Sequence, residues 1–238
     1  MAENLILKNG ILAYNEKRYN DALKYFKKLQ ADSAGSALDR ANAHYYLGLT
    51  YIRIGDLGNA VENFRRIINV KLGPTMAVQL RMILGYIYAL KESNKLAIDI
   101  FASVLKIQPE NVQALAALGY LCFKMDDAKK AVKFLKKALK YDKTNPNALN
   151  SLGYIYSQTE DKLQDAVKEC EKALQLKPGY PAYLDSLGFA YLKAGNVQMA
   201  RKYLSEAMEK LPENMEVKEH FRELVMKEMT FKRKDKID

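Results

Sequence analysis

Few side chains in this 238-residue sequence are equipped for bond-making chemistry, and their spacing argues against it. The two histidines, His44 and His220, lie 176 positions apart and form no sequence-local ligand pair. His220 has Glu216 four residues before it and Glu223 three after, a spacing that puts all three on one side of a helix. With no second nitrogen or sulfur ligand to join them, this trio reads as surface salt-bridging and not as a metal site. Cys122 and Cys170 sit inside helical patterns without C-x-x-C spacing, which argues against a metal site or a disulfide framework and fits a reducing compartment. No histidine has a sequence reason to lie beside Cys122, so an activated thiol is not indicated. No G-x-x-x-x-G-K-[ST] loop occurs, and "GDLG" at Gly55 to Gly58 reads as a turn. The expectation is a protein without catalytic residues, metal or cofactor.

What remains is surface chemistry. Lys129, Lys130, Lys133, Lys136, Lys137 and Lys140 run along one helical pattern opposite Ala131, Leu135 and Ala138, in a chain of net charge +10. Such a stripe offers phosphate contacts to nucleic acid or an attraction to an anionic membrane surface, whereas its plainer reading is a solvated outer face. Nucleic acid is the less favoured partner. The N-terminus, "MAENLILKNGILAYNEKRY", interrupts its apolar pieces with Glu3, Lys8 and Glu16, and no apolar run approaches membrane-spanning length. The expected location is the cytoplasm, or the periplasm or envelope if a leader preceded this sequence.

The elements that would position these groups repeat. "LGYIY" occurs at Leu84 to Tyr88 and again at Leu152 to Tyr156. Gly10, Gly48, Gly85, Gly119, Gly153 and Gly188 are spaced by 38, 37, 34, 34 and 35 residues, the interval of stacked supersecondary units. Ala22, Ala60, Ala97, Ala131 and Ala200 each follow a glycine by twelve residues, and Ala166 follows by thirteen. Pro109 and Pro212 come 24 after theirs, and Pro178 comes 25 after. The shared shift places a one-residue insertion in "QTEDKLQ", between the two apolar-periodic segments of its unit. Each unit carries two patterns of i, i+3, i+4, i+7 spacing, as at Leu115, Leu118, Gly119 and Cys122, then Ala131, Phe134, Leu135 and Ala138. The small residues let two antiparallel helices approach closely.

Leucine, glycine, tyrosine three later, then alanine, phenylalanine and proline on this period resemble the tetratricopeptide repeat, most clearly in Leu47, Gly48, Tyr51, Ala60 and Phe64, and in Gly85, Tyr88, Ala97, Phe101 and Pro109. The resemblance implies an all-α, right-handed superhelical solenoid of about six helix-turn-helix repeats with a C-terminal capping helix. The expected divisions are 3–38, 41–74, 78–111, 112–145, 146–180 and 181–214, then a cap over 215–230 and a basic tail over 231–238. The last repeat, with Phe189 where tryptophan is frequent in bacterial members, hints at a bacterial source.

On the first helices, a second apolar face lies about 120° around from the packing residues. Tyr45, Leu49 and Ile52 begin it, followed by Met82, Tyr86 and Ala89, Ala116, Tyr120 and Phe123, Asn150, Tyr154 and Ser157, and Asp185, Phe189 and Leu192. The resemblance implies that first helices line the concave side, which would make these residues, with Asn147 and Ser151, an inner ladder suited to a peptide or helix of another protein. Packing between neighbouring first helices is the competing reading of the same stripe. Family members that grip carboxylates carry Lys and Asn where this chain has Leu7 and Ile11, so a carboxylate clamp is not expected. The resulting expectation is a non-catalytic scaffold or adaptor. Its rivals are a basic scaffold acting through the lysine stripe and, more remotely, an enzyme completed by a partner.

Overall fold

The computed structural model describes residues 5–32, 35–68, 73–160 and 162–234, with the backbone alone for 231–234. Residues 3–4 of the expected first repeat, Asp161 of the insertion and 235–238 of the expected tail lie outside the described residues. The described residues form helices and no strands: α1 (Leu5–Asn15), α2 (Tyr19–Ala31), α3 (Ala37–Arg53), α4 (Leu57–Ile67), α5 (Pro74–Leu90), α6 (Asn94–Ile107), α7 (Val112–Lys124), α8 (Ala128–Tyr141), α9 (Pro146–Gln158), α10 (Leu163–Leu176), α11 (Pro181–Lys193), α12 (Val197–Lys210) and α13 (Met215–Lys234). They fall into two compact units, Met1–Gln108 and Pro109–Asp238. In the first, the pairs α1/α2, α3/α4 and α5/α6 stack in sequence. In the second, α7/α8, α9/α10 and α11/α12 do the same, α13 closes the end, and α7, α9, α11 and α13 lie side by side.

Local chemistry sets the helix boundaries. Asp56, Asn111, Asp127, Asn145 and Asn196 each accept a hydrogen bond from the backbone N–H three residues on, satisfying a donor the first turn leaves orphaned. Pro74, Pro146 and Pro181 stand at first helical positions, where a missing N–H costs nothing. Between the partners of each pair the chain turns through one left-handed residue: Lys17, Gly55, Glu92, Asp126, Glu160 and Gly195. Four of these six are not glycine and cost about 1–2 kcal/mol each, which the packing of the joined helices offsets. The inserted stretch of the fifth pair adds a second left-handed residue, Lys162, at φ 55°.

Each helix pair is held at its crossing by one repeated contact. A Cβ built on Gly10, Gly48 or Gly85 would lie 2.5–2.6 Å from the ring of Phe26, Phe64 or Phe101, and on Gly119 or Gly188 equally close to Leu135 or Leu204. In the fifth pair Cys170 replaces the ring, its Sγ 2.5 Å from the position of such a Cβ on Gly153. The second-helix alanines Ala22, Ala60, Ala97, Ala131, Ala166 and Ala200 are fully buried beside these contacts.

Three boundaries differ from the sequence expectation. α3 and α5 begin four residues early and run for 17 residues, whereas α7, α9 and α11 have 13. A capping box between Ser36 and Asp39 starts α3, and Pro74 starts α5. α13 continues to Lys234, four residues into the stretch assigned to the tail. Val217 and Leu224 on its apolar face are buried against α11 and α12.

Gly153→Ala would press a methyl group not only on Cys170 but on the Ala166 carbonyl oxygen, 2.8 Å away, which no rotamer change relieves. It should cost about 1–3 kcal/mol in chemical denaturation. Gly58→Ala meets only Asp56 Oδ1 at 3.6 Å and should be neutral or gain about 0.5–1 kcal/mol; the opposite order would contradict the packing account. Tyr183 packs with Leu149 and Ala173, its hydroxyl donates to the Asn147 carbonyl oxygen, and burial pushes its phenol from 10.0 up to about 12. A phenol that keeps its proton longer when folded contributes stability that is complete below pH 10 and is lost as pH rises through about 12. Tyr183→Phe should therefore show a shallower fall of unfolding free energy across that window than wild type, and parallel curves would contradict the assignment.

Candidate functional site

In the first unit the ladder residues differ in what they leave open. Tyr45, Leu49 and Ile52 on α3 are half-buried against the cluster around Phe64 and Leu80, with Tyr45 edge-on to Phe64 at 6.2 Å. Met82 is buried and presents nothing outward. Tyr86 is 45% exposed and rests edge-on against Phe101 at 5.1 Å. The ring that fills the notch at Gly85 thus also holds Tyr86 in place.

In the second unit Tyr120 and Phe123 on α7, Asn150, Ser151 and Tyr154 on α9, Asp185 and Ser186 on α11, and Glu216 on α13 line an open cleft of about 190 Å³. Tyr120 is 48% exposed, with Lys124 Nζ 5.6 Å from its ring centre. Phe123 meets Tyr154 edge-on at 6.0 Å. The Tyr154 hydroxyl donates to Glu216 Oε1 at 2.5 Å and accepts from Gln158 Nε2 at 2.7 Å. Burial, then the Glu216 hydrogen bond, push its phenol well above the ordinary tyrosine range, so it serves as a donor. Asn150 Oδ1 is shut off from solvent without a hydrogen-bond partner. Asn147 is outward-facing but engaged by Tyr183.

The last rung is closed, and here the sequence reading is corrected. Asp185, Phe189 and Leu192 are 5%, 2% and 0% exposed, the first two covered by α13. The expected surface trio of His220 with Glu216 and Glu223 does not form. His220 is buried, its Nδ1 lies 2.9 Å from Asp185 Oδ2, and its ring stacks on Phe189 at 4.0 Å. Glu216 turns to Tyr154, and Glu223 pairs with Lys193 at 2.9 Å. The physical reason is that an end helix must bury one face, and the polar groups it carries inward need partners there. Those partners lie on other helices, 35 and 62 residues away, beyond the reach of spacing within one helix.

The six lysines of α8 are exposed, and Lys130 is ion-paired with Asp127 at 2.7 Å. Both cysteines are buried and unbridged, and burial pushes both thiols up, away from the reactive thiolate. Among the described residues no group of three or more His, Cys, Asp and Glu is placed to hold a metal ion, and no helix is long and apolar enough to cross a membrane.

Tetratricopeptide repeat models match residues 7–77, 91–153 and 146–180. No curated protein sequence matches the chain. Among solved structures, MamA from Desulfovibrio magneticus is similar at 21% identity and a TM-score of 0.58, over 71% of this chain and 93% of that one. PilF of Pseudomonas aeruginosa is similar at 14% identity and a TM-score of 0.70, over 92% and 96%. YrrB, described as a TPR protein with an unusual peptide-binding site, is similar at 20% identity and a TM-score of 0.56, over 83% and 97%. These likenesses are likenesses of fold. With repeat models matching in both units and the glycine-notched helix pair throughout, the chain belongs to the tetratricopeptide repeat family.

Proposed function

We propose that the protein is a non-catalytic scaffold that holds a peptide or helical segment of another protein against an exposed first-helix face. The observation that carries this reading is the cleft of the second unit, lined by the exposed Tyr120 and the half-buried Phe123, Asn150 and Tyr154, while the packing face of the same helices is buried. Aromatic rings already braced by neighbours give contact area at little entropic cost, and Tyr adds a hydrogen-bonding tip. Tyr86 offers the same in the first unit. The shared fold with YrrB, whose description names a peptide-binding site, supports this reading. Two buried, unbridged thiols fit work in a reducing compartment such as the cytoplasm.

A second reading has one observation in its favour: the exposed lysines of α8, of which Lys130 alone carries an ion pair among the described residues, form a cationic row facing solvent. It predicts capture of nucleic acid or an anionic membrane surface that falls steeply with salt.

The two readings separate by mutation. With a partner recovered from the native host by affinity purification, the variant Tyr120→Ala should bind at least about fivefold more weakly while helical circular dichroism stays unchanged, because an aromatic ring that anchors a partner carries more than about 1 kcal/mol. Replacing Lys129, Lys133 and Lys137 by Gln should alter the same affinity by less than about twofold. A large loss from the lysine variant, with the tyrosine variant unaffected, would overturn the proposal in favour of the cationic row.

A further inference from the structure

We infer that the cleft of the second unit is built for a cation, and that the segment it holds presents an arginine side chain there. The inference rests on the peptide-binding reading and specifies its chemistry. The charged side chains lining the cleft are both carboxylates, Asp185 and Glu216, although the whole chain carries a net charge of +10. The helix across its middle, α9, has no charged residue along its length. Its walls are the rings of Tyr120, Phe123 and Tyr154, whose faces attract cations. At the rim, Lys124 already lies over Tyr120 at 5.6 Å, so one of these rings meets a cation from the chain itself.

Other charged groups are accounted for. Asp185 faces His220, Lys193 is drawn over Phe189 and onto Glu223 and Glu160, and Glu219 on α13 is exposed and does not line the cleft. Glu216 is the carboxylate within reach of a newcomer, with one oxygen on Tyr154 and the other unengaged. Between a carboxylate and aromatic faces, the planar guanidinium with its five donors fits better than the point charge of lysine, which stacks less well and donates in fewer directions.

The test uses the full chain, labelled with nitrogen-15, titrated with the blocked peptide Ala-Leu-Arg-Leu-Ala and with the same peptide carrying citrulline, a neutral isostere, in place of arginine. The arginine peptide should give saturable shifts centred on Tyr120, Asn150 and Glu216, and the citrulline peptide should bind at least about tenfold more weakly. Glu216→Gln should lower the arginine affinity toward the citrulline level, while Glu219→Gln, an exposed carboxylate on the same helix, should not. Equal binding of the two peptides in the cleft would overturn the cation inference and leave the peptide-binding reading standing. No saturable binding of either would count against both. Equal effects of the two Glu variants would assign the attraction to the general field of α13 and overturn the site.

Discussion

The contact between a first-helix glycine and the side chain sixteen residues later is the constraint on which the rest of the structure depends. At Gly10, Gly48 and Gly85 the partner is a phenylalanine ring, at Gly119 and Gly188 a leucine, and at Gly153 a cysteine seventeen residues on, the extra position being the insertion. Each glycine leaves no room for even a methyl group, so the two helices of a pair meet closely at one fixed point. Fixing that point fixes which face of the first helix is buried, and therefore which face is left for other work.

That division explains why the candidate binding residues are rings. Tyr86 and Tyr120 each follow a notch glycine directly, so they emerge beside the buried contact, and in the first unit the notch-filling Phe101 braces Tyr86 from its edge. A binding surface built this way is held by the core beneath it and loses little freedom when it is covered. In the second unit the same logic runs until α13, where the chain supplies its own cover: His220 takes the place beside Phe189 and Asp185 that an outside partner would otherwise meet. The cleft is what is left between the last open rung and this closed one.

The helix pairs were legible because their determinants are local and periodic. Gly119 and Ala131 act within one pair, at its crossing, and the prolines at fixed offsets mark the turn that leaves each pair. Less legible was anything settled between pairs. Ser36 with Asp39 and Gly73 with Pro74 are ordinary start signals, but they depart from the period that marks the pairs. Cys170 sits inside a helical pattern, yet its role as the substitute for a ring at Gly153 is set by where its helix crosses the first. The meeting of His220 with Asp185, and of Glu216 with Tyr154, depends on where the end helix lies against α11 and α9, and no spacing within a helix encodes it. For the ladder, the sequence posed two alternatives, open face or inter-repeat packing, and the structure divides them by residue: Met82, Phe189 and Leu192 are buried, whereas Tyr86 and Tyr120 stand open.

The most direct measurement of the central claim is hydrogen–deuterium exchange across the full chain with and without a tight-binding peptide selected from a random library, repeated at low and high salt. The account predicts protection concentrated in α7, α9 and the start of α13, little change in α8, and an affinity that salt reduces only modestly. Protection centred on the lysine row of α8, lost as salt rises, would contradict it.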